Sequence, residues 1–194
     1  MREKDELRAE FEHYRASLDE ATYRAKSTAI CERAAALPEI HQAETVHVYW
    51  PQTKEREIDT RPLIRRLRDE GKRIVLPRVV SFAPDAPPEM EHVLFTGEDA
   101  LRTNRWGLRE PAGSETVAPS ALDAVVVPAF GTGRTDGHRI GHGRGFYDAF
   151  LNPISAFTVG LVYAACLRDA VPAEAHDVPL RALVTERETL RSAP

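Results

Sequence analysis

Apolar positions along the chain change their spacing several times, and each change marks an element. Near the N-terminus Leu7, Phe11 and Tyr14 recur three or four residues apart, the spacing that puts one apolar stripe along a helix. Ser17-Leu-Asp-Glu20 has the form of a capping box and predicts the start of a second helix. Short apolar runs, rich in β-branched residues, then fall at Val46–Trp50, Arg73–Leu76, Val125–Val127, Thr158–Val162 and Leu183–Thr185, and each reads as a strand. Between the first two, Asp59 and Thr60 form a helix start with Pro62 in its first turn, and Leu63, Ile64 and Leu67 supply the buried stripe. Strands alternating with helical segments predict a three-layer α/β/α fold around a largely parallel sheet. Ser81–Pro88 reads as a loop, and neither it nor Glu110–Pro119 has the character of a domain linker. With no internal repeat, residues 1–194 are expected to form one domain.

Composition narrows the function classes. A chain of 194 residues can bury a substantial core within one domain. A net charge of -4 and a pI near 6.0 argue against general nucleic-acid binding, so clustered arginines mark a local site for a small ligand. Cys31 and Cys166 are far apart and match no metal spacing, which suits two ordinary thiols in a reducing compartment. The charged stretch from Arg2 to Arg8 and the lack of any long apolar run predict neither secretion nor membrane insertion. A cytoplasmic protein is expected.

Candidate chemistry concentrates in Asp123–Leu151. The apolar run Asp123-Ala-Val-Val-Val-Pro128 reads as a strand buried on both faces. Six of the chain's eleven glycines follow, at 131, 133, 137, 141, 143 and 145, and Arg134, Arg139 and Arg144 are interleaved with them. Backbone N–H groups and guanidinium forks in such a segment can converge on the oxygens of a bound phosphate. Glycine-arginine segments also occur as plain surface loops. A strand before and a helix start at Phe146-Tyr147-Asp148 favour the phosphate cradle. No P-loop string is present, and Gly141-x-Gly143-x-Gly145 lacks the wider last spacing of a dinucleotide turn.

The run Gly137-His-Arg-Ile-Gly-His-Gly-Arg-Gly-Phe-Tyr-Asp148 resembles the G-x-R-L-G-x-G-x-G-Y-Y-D signature of the 5-formyltetrahydrofolate cyclo-ligase family, also called methenyltetrahydrofolate synthetases. Weaker landmarks follow the family order. Lys4 and Arg8, with Arg15 further on, resemble the N-terminal helix that reaches the nucleotide phosphates. Their spacing places Lys4 and Arg8 on one helix face, which without the resemblance would read as an ordinary solvated face. Glu57-Ile-Asp-Thr60 resembles the segment whose glutamate holds the pterin, and an acceptor-only carboxylate suits the paired N–H donors of an aminopyrimidine. Gly71–Arg78 is similar to the next family strand. Trp106-Gly-Leu-Arg-Glu-Pro111 resembles the segment bordering the folate pocket. Val171-Pro-Ala-Glu-Ala-His-Asp177 and Ala182-Leu-Val-Thr-Glu186 match the C-terminal pattern.

The resemblance implies an ATP- and Mg²⁺-dependent enzyme converting 5-formyltetrahydrofolate to 5,10-methenyltetrahydrofolate through a phosphorylated formyl intermediate. It places Lys4, Arg8, Arg139, Gly141, His142, Gly143, Arg144, Gly145, Phe146 and Tyr147 at ATP. Arg139, Arg144 and Tyr147 also fall at the chemistry, Tyr49, Glu57, Met90, Trp106 and Tyr147 at the folate, and Asp148 and Asp177 at Mg²⁺. Two carboxylates are the usual protein share of such a site, because the ion keeps waters and phosphate oxygens. A monomer or weak homodimer acting on small molecules, without nucleic acid or membrane, is expected. One departure stands out. Where the family carries a phenylalanine-aspartate pair, Phe130 is followed by Gly131, and the segment to Gly137 is roughly three residues longer, as surface loops tolerate. Asp136 is the candidate substitute. Two smaller changes are Phe146 for a tyrosine and Arg144 for a smaller residue or lysine. The departures leave two rivals, a binding protein without turnover and an ATP-dependent enzyme acting on another small molecule.

Overall fold

A computed structural model describes residues 2–81 and 88–192. Most of the loop expected at Ser81–Pro88 therefore lies outside the described residues. Five helices, α1 (Arg2–Ser17), α2 (Glu20–Ala35), α3 (Pro38–Gln42), α4 (Arg61–Asp69) and α5 (Phe146–Leu151), combine with strands β1 (Thr45–His47), β2 (Arg73–Ser81), β3 (Glu89–Leu94), β4 (Leu101–Thr103), β5 (Arg109–Pro111), β6 (Ala124–Pro128), β7 (Gly131–Gly133), β8 (Arg139–Ile140), β9 (Phe157–Leu161), β10 (Leu167–Arg168), β11 (Ala182–Val184) and β12 (Thr189–Arg191).

The main sheet has seven strands in the order β12-β11-β9-β6-β1-β2-β3. Its inner pairs are parallel and its two edge pairs antiparallel, which bears out the largely parallel sheet. Alternation along β6 shows why three layers form. Ala124 and Val126 pack into the cluster that holds α1 to α4, while Val125 and Val127 pack with Phe150 and Leu151 of α5. Val125, Val126 and Val127 are all fully buried, as a strand covered on both faces requires. On α4, Leu63, Ile64 and Leu67 are buried as expected, and truncating Leu67 to alanine would cost about 2–5 kcal/mol.

Local outcomes differ from the sequence reading in three places. The cap of α2 is Asp19, whose carboxylate accepts from the Thr22 amide at 2.8 Å; Ser17 instead donates to the Tyr14 carbonyl at 2.7 Å. The strand expected at Val46–Trp50 pairs only over Thr45–His47. Beyond it the chain turns along the carboxyl end of the sheet, where the Thr60 hydroxyl donates to the Tyr49 carbonyl at 2.7 Å. That end is where open α/β sheets present their ligand sites.

The third difference is the segment expected as an inserted loop. Residues 131–140 form a hairpin of β7 and β8, and β10 adds to β7 to make a small three-stranded sheet. Asp136 closes its turn, with one carboxylate oxygen accepting from the His138 amide and the other from the Val171 amide. Both oxygens are thus engaged by backbone rather than turned toward the glycine loop. No helix of the described residues is long and apolar enough to cross a membrane.

Candidate active site

The site is assembled where one face of α1 lies along the strand and loop from Ala129 to Gly143. Lys4, Arg8, Phe11 and Arg15 follow one another at spacings of four, three and four, so they share that face. Lys4 Nζ donates to Asp177 Oδ2 at 2.6 Å and to Glu174 Oε1 at 3.0 Å. Partial burial works against the Lys4 ammonium, but these bonds more than offset it and its pKa lies above the ordinary value. Asp177 moves the opposite way: burial would raise it, and the bonds from Lys4 and the Glu174 amide hold it below the usual carboxylate range. Arg8 Nε donates to the Gly141 carbonyl at 2.7 Å, and its guanidinium also bonds Asp5 at 2.5 Å.

Phe11 explains the main departure in the glycine segment. A Cβ on Gly131 would lie 2.2 Å from the Phe11 ring and 2.6 Å from the Cys166 carbonyl oxygen. Only glycine fits there. At the other end, Gly145 takes φ 71° as the residue that enters α5, a left-handed conformation that glycine adopts without strain.

Two of the three interleaved arginines take separate partners. Arg134 pairs with Glu188 at 2.8 Å beside the β7–β8 turn. Arg139 donates to Asp148 Oδ1 at 2.7 Å and to the Val178 carbonyl at 3.0 Å, and Asp148 Oδ1 also accepts from the Val178 amide at 3.1 Å. Asp148 is thereby fastened to the residue that follows Asp177. Arg144 and His142 are exposed on the loop, and the His142 ring stands edge-on to Phe130 at 4.7 Å. Loss of solvation on the side of the ring that meets Phe130, then the charges of Arg15, Arg8 and Arg144, lower the His142 pKa.

A second, buried group lies under the carboxyl end of β1. Glu57 is 5% exposed; its Oε2 accepts from the Gln52 amide at 2.8 Å, and its carbonyl accepts from the Tyr23 hydroxyl at 2.8 Å. Burial pushes its carboxyl upward, against the pull of the Arg15 charge. The Tyr49 hydroxyl donates to the Ile58 carbonyl at 3.3 Å. Tyr147 has a buried hydroxyl with no partner among the described residues, and burial followed by the Glu57 charge raises its pKa. Beneath it sit His47, with ring centroids 6.1 Å from Tyr147 and 5.2 Å from His92, and Phe150, 4.0 Å from His92. Neither His47 nitrogen nor His92 Nδ1 has a partner among the described residues. A groove of about 220 Å³ above His92 brings together Met90, Phe146 and Phe150.

Residues 1–186 match the 5-formyltetrahydrofolate cyclo-ligase family. The chain belongs to this family. Curated relatives named 5-formyltetrahydrofolate cyclo-ligase include one from Escherichia coli K12, 32% identical over 79% of this chain and 84% of the relative. Another, from Haemophilus influenzae, is 28% identical over 91% and 94%. The solution structure of 5,10-methenyltetrahydrofolate synthetase from Aquifex aeolicus superposes with a TM-score of 0.82 at 29% identity, covering 97% of this chain and 92% of that one.

In this member of the cyclo-ligase family, the remaining expected residues lie as follows. Trp106 stands at the tip of the hairpin formed by β4 and β5, 41% exposed, with the Arg105 guanidinium 4.2 Å from its ring. Glu110 of the Glu-Pro segment is buried and accepts from the Val79 amide at 2.8 Å, so its carboxylate fastens β5 to β2. Cys31 and Cys166 are buried, with burial pushing each thiol up to about 12, and are therefore poor nucleophiles. Among the described residues no three acidic, histidine or cysteine side chains gather as a metal cluster. The neighbouring Asp148 and Asp177 suit Mg²⁺ as a two-carboxylate half-site, which phosphate oxygens and water would have to complete.

Sequence reasoning did not single out His47, His92 or a role for Arg15. A histidine inside the apolar run Thr45-Val-His-Val48 was the available signal for His47, because a buried polar residue is the informative exception in a core strand.

Proposed function

We propose that the chain is an ATP- and Mg²⁺-dependent 5-formyltetrahydrofolate cyclo-ligase, producing 5,10-methenyltetrahydrofolate, ADP and phosphate. What carries this reading is the seating of α1 on the glycine loop beside the enclosed Glu57 and Tyr147, in a chain that matches the family almost throughout. Lys4, Arg8, Arg139, Arg144 and the loop from Gly141 to Phe146 hold the nucleotide phosphates. Asp148 and Asp177 hold Mg²⁺, which when bound neutralises phosphate charge. Glu57 accepts the N–H donors of the pterin edge, while Tyr49, Met90, Trp106 and Tyr147 line the folate.

In the reaction the formyl oxygen forms a bond to the γ-phosphorus as the bond to the β-phosphate oxygen breaks and ADP leaves. N10 then attacks the activated formyl carbon, the carbon–oxygen bond breaks, phosphate departs and the N10 proton is released. Such chemistry needs positioning and charge stabilisation more than a protein nucleophile. Cations, glycines and carboxylates at one end of the site and an enclosed acceptor at the other answer that need. The packing of Phe11 on Gly131 accounts for the departure that motivated a binding-only reading.

The test is absorbance at the methenyltetrahydrofolate band after mixing purified protein with 5-formyltetrahydrofolate, ATP and Mg²⁺. Growth that requires ATP is expected. Folded protein that binds the folate and gives no growth would return the binding-only reading, and ATP hydrolysis driven by a different formylated or carboxylated compound would point to another substrate.

A further inference from the structure

His92 has no part in the assignments above, yet it lies where the two ends of the site come together. Met90 and His92 alternate along β3, so both face the groove opposite Phe146 and Phe150 of α5. The residue is 6% exposed. Its ring is held by Phe150, with centroids 4.0 Å apart and planes 31° from parallel, and by His47 at 5.2 Å. The strand is fixed there too, because the Val117 amide donates to the His92 carbonyl at 2.7 Å. Nδ1 is enclosed and has no partner among the described residues. A buried nitrogen left unmatched is costly, so its retention calls for a bound partner or a function.

The groove joins a residue expected at the folate, Met90, to one expected at the nucleotide, Phe146. The formyl group, which reacts with both substrates in turn, belongs where those two sets meet. We propose that His92 is a catalytic residue that takes the N10 proton as the new ring closes. When N10 bonds to the formyl carbon, the carbon–oxygen bond breaks and its electron pair leaves with phosphate. The N10–H bond then breaks, its pair stays on nitrogen, and the proton passes to a ring nitrogen of His92. The imidazolium so formed returns the proton to water. No reactant beyond the folate and ATP is required.

Other groups of the site are engaged elsewhere or in the wrong protonation state for this step. Asp148 and Asp177 accept from Arg139 and Lys4. Tyr147 is a phenol, which keeps its proton in the neutral range. His142 stands against Phe130 on the glycine loop. Around the His92 ring, the titratable neighbours are His47 of β1, with Tyr147 of α5 beyond it, and Glu89 at the rim of the groove. Burial lowers His92 to about 4, so its ring is a free base near neutral pH. A weak base suffices here, since an amine nitrogen that has just bonded to an electron-poor carbon is cationic and strongly acidic.

The proposal rests on the cyclo-ligase reading, and single-turnover kinetics separate the two. Excess enzyme is mixed with 5-formyltetrahydrofolate, ATP and Mg²⁺, and ADP formation and methenyltetrahydrofolate absorbance are followed together in the wild type, His92→Phe and His92→Ala. His92→Phe keeps a ring against Phe150 and His47. In it, ADP formation should stay within a few-fold of the wild type while ring closure slows by about 10²–10⁴-fold, the contribution of a positioned base. Added imidazole should restore ring closure in His92→Ala in proportion to its unprotonated fraction, and should leave His92→Phe, whose ring fills the space, unchanged. Ring closure at the wild-type rate in His92→Phe, an equal loss in both steps, or no rescue of His92→Ala would overturn the proposal. If neither variant folds, the ¹⁵N resonances of the His92 ring in the wild type decide. Adding 5-formyltetrahydrofolate without ATP should shift one of them, and two unmoved resonances would overturn the assignment. A wild type that forms no methenyltetrahydrofolate would sink the cyclo-ligase reading and this step with it, whereas an active wild type beside an unimpaired His92→Phe would sink this step alone.

Discussion

Lys4, Arg8, Arg139, Asp148 and Asp177, at the glycine-loop end of the site, are held by ion pairs or carbonyls within the chain. At the other end Glu57 is buried with one amide bonded to its carboxylate, and the hydroxyl of Tyr147 and both nitrogens of His47 have no partner among the described residues. The first end is charged and already neutralised by itself. The second is desolvated and short of partners. A ligand that brings its own anionic oxygens and metal can exchange with the ion pairs of the first end at small net cost, because one set of charge contacts replaces another. The second end favours a flat ligand with hydrogen-bond donors, since an enclosed acceptor left unmatched is expensive. Substitutions at the two ends should therefore separate in which substrate they affect.

The largest effect is expected from Asp148→Ala, which removes the carboxylate from Arg139 and the Val178 amide and takes away one of the two carboxylates proposed for Mg²⁺. Turnover should fall by about 10²–10³, the range seen when one charge-stabilising group is lost from a reacting site, with folate affinity within a few-fold. Binding of 5-formyltetrahydrofolate measured by calorimetry beside kcat checks this. Equal loss of both would mean that Asp148 holds the fold between α5 and Val178 rather than the nucleotide.

Glu57→Gln tests the other end. Replacing the charged acceptor by an amide keeps the shape and costs about 1.5–3 kcal/mol for a hydrogen bond to a charged group, equivalent to a rise of roughly 10–100-fold in KM for the folate. KM for ATP should stay put. A shift in the ATP constant of the same size would erase the distinction between the ends.

How much of this arrangement could be read from the chain alone depends on whether it was written in local spacing. The parallel strands follow from short β-branched apolar runs, and the buried stripe of α4 and the Lys4–Arg8 face from a period of 3.6, and the structure carries them with boundary shifts of a residue or a few. Gly131 was different. Its requirement comes from Phe11, distant in sequence, and no local pattern announces which ring will occupy the space where its side chain would be. Arg134 and Arg139 part for a related reason: β7 and β8 pair as a hairpin, which takes Arg134 to Glu188 and leaves Arg139 against Asp148. Interleaving in sequence fixes neither side-chain direction nor partner. Arg15 and Glu57 reveal their shared burial only once α1 has docked on the sheet.

Acid lability should sharpen the contrast at the desolvated end. Burial lowers His47 well below its ordinary value of 6.5, with the His92 charge adding to the effect, and lowers His92 to about 4. Below pH 6.5 the unfolded chain takes up protons at these rings that the folded chain resists, so stability is full above pH 6.5 and is lost as pH falls toward 4. Each imidazole contributes a slope of up to about 1.4 kcal/mol per pH unit. Glu57, raised in the folded state, opposes this, and its contribution grows as pH falls. Urea midpoints at pH 7.5, 6.0 and 5.0 should decline in the wild type and flatten in a His47→Leu/His92→Leu variant. A variant that keeps the wild-type slope would place the acid sensitivity elsewhere.

Trp106→Ala is expected to have the smallest effect and is informative for that reason. The ring stands at the hairpin tip, 41% exposed and covered on one side by Arg105, so its removal deletes little buried surface and should leave the urea midpoint unchanged at neutral pH. If Trp106 stacks on the folate ring, it contributes on the order of 0.5–1.5 kcal/mol, and its loss should raise KM for the folate about two- to tenfold without changing KM for ATP. Quenching of its fluorescence on adding 5-formyltetrahydrofolate, in the wild type and in a Trp50→Phe variant that leaves Trp106 as the only tryptophan, reads the contact directly. An unquenched Trp106 together with an unchanged folate constant would confine the folate end to the enclosed residues around Glu57 and Tyr147. Quenching with the predicted loss would extend it outward to an exposed aromatic wall, and the two ends would then differ in exposure as well as in charge.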